Sequence, residues 1–78
     1  MTDAHMRLVD AIIAELLEQE GMAQELAEFA DRMEADGHHA TVDTLRAISR
    51  GRRVKGIELR SNLAALEVAS YDAAEDGN

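Results

Sequence analysis

Two adjacent histidines, His38 and His39, have a carboxylate one turn to either side, Glu34 and Asp43. No other cluster in the chain comes nearer to a metal constellation. Imidazole and carboxylate together suit zinc, iron or manganese. Neighbouring residues on a helix diverge by about 100°, so two imidazoles could share one ion only from an irregular turn. The Glu-x-x-His pair of di-iron carboxylate bundles is missing, because the third residue after Glu34 is Gly37. Polar turn residues are therefore the preferred reading of both histidines, and His5 is read as lying near a helix start. No cofactor is expected.

Two further groups could do chemistry. The run from Ser49 to Gly56 carries Arg50, Arg52, Arg53 and Lys55, the cation density of a phosphate or nucleic-acid contact. No aromatic is interleaved for base stacking, and the glycines do not fit a phosphate-cradling loop. The second group, Glu15, Gln19 and Arg52, sits on otherwise apolar helix seams. A buried polar site is one use; a device that fixes register and oligomer state is the better attested one. Met22 and Met33 read as gap-filling core.

Nucleophilic catalysis finds no triad, since cysteine is absent and no spacing links Ser49, Ser61 or Ser70 to a histidine. Residues 7–17, Arg7-Leu8-Val9-Asp10-Ala11-Ile12-Ile13-Ala14-Glu15-Leu16-Leu17, resemble the first helix of all-helical chorismate mutases. The resemblance covers eleven residues and implies several inward cations around a dicarboxylate. Only Arg7 matches, and Glu20 and Gly21 stand where the next arginine belongs, so no site is carried over. The expectation is a protein that is not an enzyme.

The elements that hold these residues follow from composition. The chain has 78 residues, no proline, no cysteine, two aromatics (Phe29 and Tyr71) and a surplus of strong helix formers. β-branched residues never alternate with polar ones over a strand length. The fold class is all-α, as a single domain. Thr2 or Asp3 caps a first helix over about 3–36, and Gly37 supplies a left-handed stop. A turn over about 37–40 leads to a second helix over about 41–72, which starts near His39 or Thr41, with Thr41 as a candidate cap. Residues 73–78 read as an acidic flexible tail. Each helix is about 50 Å long, and the two form an antiparallel hairpin. The rival reading breaks the helices at Gly21 and Gly51 into four short ones.

Heptad spacing places Leu8, Ile12, Met22, Leu26, Phe29 and Met33 on the seam of the first helix, interrupted by Glu15 and Gln19. The second seam is Val42, Leu45, Ser49, Arg52, Gly56, Leu59, Leu63 and Leu66. Folding at the turn pairs Phe29 with Leu45, Met33 with Val42 and Ile12 with Leu63. It also sets Gly21 level with Gly56, as if at a waist. Charge agrees with this register: residues 46–60 carry six cations and one anion, and the facing residues 15–29 carry five glutamates and no cation.

One hairpin cannot bury all the apolar surface. Val9, Ile13 and Leu17 widen the stripe of the first helix, and Ile57, Ala64 and Val68 widen that of the second. The register brings the two widened regions together at the open end, and they are the expected interface of a homodimer that completes a four-helix bundle. The net charge of −8 argues against a general nucleic-acid partner. No apolar run of bilayer-spanning length exists, and no basic region leads into a hydrophobic stretch at the start. The expectation is a cytoplasmic, non-enzymatic homo-oligomer serving as an interaction, adaptor or regulatory module with an unknown protein partner. A metal-binding bundle using the His38–His39 turn is the alternative, with Glu34, His38, His39 and Asp43 as its candidate ligands.

Overall fold

The computed structural model describes the backbone of residues 3–76 and the side chains of residues 3–69. The expected Thr2 cap and the last two residues of the tail lie outside the described residues. Two helices, α1 (Asp3–Ala35) and α2 (His39–Asp76), pack against each other as a hairpin. Gly21 and Gly51 interrupt neither helix, which removes the four-helix rival. No helix among the described residues is long and apolar enough to cross a membrane.

The turn is tighter than the sequence suggested. Gly37 takes the left-handed conformation at φ 87°. Its N–H donates to the Glu34 carbonyl at 3.0 Å, and the His38 N–H donates to the Met33 carbonyl at 2.9 Å. These are the two bonds of a Schellman stop, which satisfy the last carbonyls of α1. The His38 carbonyl then accepts from the Val42 N–H at 3.1 Å, so one residue closes α1 and caps α2. Of the two starts expected for α2, His39 and Thr41, the structure takes His39; the expected tail is corrected, because α2 continues through Asp76 across most of it.

The turn's demands differ by residue. An L side chain at φ 87° costs about 1–2 kcal/mol, while no atom within 4 Å of a Gly37 Cβ adds a clash. His38 serves through its backbone groups. Gly37→Val is expected to lower stability by about 1–2 kcal/mol, and His38→Ala by a few tenths at most. Chemical denaturation of the two variants reads the difference; equal losses would contradict this account of the turn.

The molecule is a rod of 63 × 17 × 12 Å. Its radius of gyration is 17.8 Å, against roughly 11–12 Å for a compact domain of this length. Its core is thin. The buried apolar residues are Leu16, Ala23, Ala30, Val42 and Leu59, joined by Gln19, Ser49 and Gly56. The α2 seam is the one read from the sequence, with every member buried or half-buried.

The α1 seam is corrected. Ile12, Leu16, Gln19, Ala23, Leu26, Ala30 and Met33 face α2, whereas Leu8 and Phe29 are 48% and 38% exposed. Small residues decide this. Ala23 sits close enough for the Ser49 hydroxyl to donate to its carbonyl at 2.8 Å, and Gly56 lies beside Leu16 and Glu20. A phenylalanine or methionine at the Ala23 or Ala30 position would force the helices apart and break that hydrogen bond. The waist is one-sided, because Gly21 is exposed with open space around it. The expected Phe29–Leu45 pairing gives way to a Phe29 on the rim of a surface groove.

Candidate interaction surface

Polar groups in the seam form one connected chain. Arg52 Nη1 donates to Gln19 Oε1 at 3.2 Å, and Gln19 Nε2 donates to Glu15 Oε1 at 2.6 Å. Gln19 is 6% exposed, and no buried side-chain polar atom among the described residues lacks a partner. The three polar residues that interrupt the heptad pattern are therefore brought together, and across both helices. An amide that bridges an arginine and a carboxylate is satisfied at one register of the hairpin. A slip of one residue would bury it unpaired, at a cost of about 1–3 kcal/mol. Gln19→Ala and Arg52→Ala are expected to be non-additive, with a coupling of about 0.5–1.5 kcal/mol in a double-mutant cycle. Strict additivity would remove the network from the account of register.

The seam has two edges, and each opens onto a face of the hairpin. The first face carries the ion pairs between helices. Arg60 Nη2 meets Glu20 Oε1 at 2.6 Å, and Arg46 reaches Asp31 at 3.4 Å and Glu34. Arg53 lies in a shallow hollow with Glu20, Gln24, Glu28 and Asp31. The hydrogen bond and charge of Glu34 hold the Arg46 guanidinium above its ordinary pKa, so it is cationic at every pH the fold experiences. The Arg60–Glu20 pair joins the two segments whose charges match in the sequence, while Arg46 pairs beyond them, nearer the turn. All these groups are substantially exposed, so they orient the helices more than they stabilise them.

The same face turns apolar toward the open end. Ile13 lies one heptad before Glu20, and Leu17 one heptad before Gln24, so both continue the flank that lines the Arg53 hollow. On α2, Ile57 and Ala64 follow Arg50 at heptad spacing, and Val68 lies one turn on. Leu17, Ile57 and Val68 are each at least 60% exposed, Ile13 is 38% exposed, Ala64 is exposed and Val9 is half-buried. Met6, at 51%, stands one heptad before Ile13 and extends the stripe, a residue the sequence analysis did not include. The heptad spacing of Met6 to Ile13 was the signal for it.

The opposite face holds a groove of about 580 Å³ lined by the apolar Met22, Leu26, Phe29 and Ile48 and by Glu25, Arg32 and Arg52. The Arg32 guanidinium stands 5.4 Å from the Phe29 ring centroid. Met22 and Phe29, assigned to the core by their size, build this second surface instead.

The candidate metal ligands are placed apart. Glu34 is engaged by Arg46, His38 uses its backbone in the turn, and His38, His39 and Asp43 are exposed. Among the described residues no group of three or more histidine, aspartate or glutamate side chains converges on a point that could hold an ion. Comparison with protein-family models, curated proteins and solved structures found no match for this chain.

Proposed function

We propose that the protein is a non-enzymatic homodimer, a helical module that presents surfaces to another protein as an adaptor or regulator. The reading rests on one observation. Met6, Ile13, Leu17, Ile57 and Val68 are left exposed toward the open end of a hairpin whose own core is thin. Val9, Ile13, Leu17, Ile57, Ala64 and Val68 form that interface, and two hairpins joined through it make a four-helix section.

The areas support this. A compact monomer of 8.5 kDa exposes roughly 4,600 Å², whereas this hairpin exposes 5635 Å². The excess, about 1,000 Å², is comparable with the roughly 800 Å² that each partner buries in a standard interface. Large apolar side chains left exposed outnumber those buried among the described residues, the reverse of a self-sufficient domain. The groove on the opposite face stays open in such a dimer, twice over, for the protein partner.

Folding coupled to association makes the melting temperature depend on protein concentration. A hundredfold dilution is expected to lower it by several degrees. A melting temperature independent of concentration, at monomer mass, would refute the homodimer.

A further inference from the structure

The distribution of charge on the interface face fixes which way round the two copies meet. Its α1 half is acidic, with Asp10, Glu20 and Asp31 along it, and its α2 half is basic over its middle, with Arg46, Arg53 and Arg60 between Asp43 and Glu67. Two hairpins can stack face to face about either of two dyads. A dyad parallel to the long axis sets α1 of each copy against α2 of the other, with both turns at the same end. A dyad across the long axis sets α1 against α1 and α2 against α2, with the turns at opposite ends.

We propose that the second copy docks about the dyad parallel to the hairpin, with both turns at one end. This rests on the homodimer reading above and adds its geometry. In that arrangement the acidic edge of each α1 lies along the basic middle of the partner's α2. The Ile13–Leu17 stripe meets the Ile57–Val68 stripe at the same level, because both sit at the open end. The crosswise dyad fails on both counts. It places carboxylate against carboxylate along α1 and guanidinium against guanidinium along α2, and like charges across an interface exclude a pairing. Centred on the apolar stripes, it would also overlap only the open halves of two rods 63 Å long, leaving the turn halves uncovered.

The chain has no native cysteine, so one spin label can be placed at will. Thr41→Cys carries it at an exposed residue beside the turn, one heptad before Ile48 and so on the groove side of α2; Asp36→Cys, also exposed, provides a second site. Pulsed dipolar spectroscopy on the full-length labelled protein then reads the distance between the two turns. Same-end docking predicts a separation set by the width of a four-helix section, about 15 Å between diagonal axes plus the label arms. A dimer whose labels lie as far apart as the 63 Å hairpin is long, or farther, including a dimer mass with no measurable dipolar coupling, would overturn this geometry and leave the homodimer standing. A monomer mass with no dipolar coupling at either site would overturn both.

Discussion

Replacing Leu17 and Ile57 together by glutamate is expected to convert the protein to a monomer and to lower its helicity in the same step. Both side chains are more than 60% exposed in the hairpin, so the change removes no contact from the intramolecular core. In the dimer each copy forfeits two buried apolar side chains and places two carboxylates where water is excluded. Four side chains at ~1.5 kcal/mol or more each amount to at least ~6 kcal/mol, or a weakening of about 10⁴-fold in the dissociation constant. Ala11→Glu, also exposed but two heptads before Glu25 and so on the groove side of α1, is the control and is expected to change nothing. Sedimentation and circular dichroism of the three proteins check this. A double variant that keeps the parent's mass would place the interface elsewhere.

The second large effect is a gain. Gly21, Gly51 and Gly56 all lie inside continuous helices, where each glycine costs about 1 kcal/mol relative to alanine. Gly21 and Gly51 have open space where a Cβ would stand. A Cβ on Gly56 would lie 3.5 Å from Glu20 Cγ and 3.7 Å from Leu16 Cδ1, ordinary contact distances. Replacing all three by alanine is therefore expected to stabilise the protein by about 2–3 kcal/mol, an increase of roughly 10–20 °C in melting temperature at fixed concentration. Each single change should contribute. A destabilising Gly56→Ala would mean that the helices approach more closely there than 3.5 Å allows. Larger residues at position 56 are another matter, since they would collide with Leu16 and open the seam.

These two results probe what the sequence revealed unevenly. The hairpin was legible because its determinants are local: a glycine suited to positive φ follows one long amphipathic pattern and precedes another. The α2 seam was legible because Val42, Leu45, Leu59, Leu63 and Leu66 mark its heptads with large apolar side chains. On α1 the same reasoning went half astray. Leu8, Met22 and Phe29 outrank Leu16, Ala23 and Ala30 in total size, yet the smaller set faces α2. Position in a seam is settled by what stands opposite, and opposite α1 stand Ser49 and Gly56. Ser49 lets α2 approach the Ala23 backbone, and Gly56 leaves room for Leu16. Ile12, Leu16, Gln19, Ala23, Leu26, Ala30 and Met33 alternate by four and three residues, but so does the expected seam with its interruptions at Glu15 and Gln19, so spacing alone could not choose between them.

The polar trio was found for the right reason, since each member broke an apolar pattern. Its connection into a single network needed coordinates, because hydrogen bonds between helices depend on axial offset to within an ångström or so. The second groove went unforeseen for the same reason that the α1 seam was misassigned. Side chains large enough to look like core were displaced by the close approach of the helices and became surface. The start of α2 was open between His39 and Thr41 because backbone groups of His38 do the work that a Thr41 side chain could have done.

The central claim is that this hairpin exists as two copies joined through the apolar face at its open end. Sedimentation equilibrium of the untagged protein at micromolar concentration measures that directly. The account predicts a single species of twice the 8.5 kDa chain mass that dissociates on dilution with loss of helix. A stable, fully helical species of 8.5 kDa across the whole concentration range would contradict it.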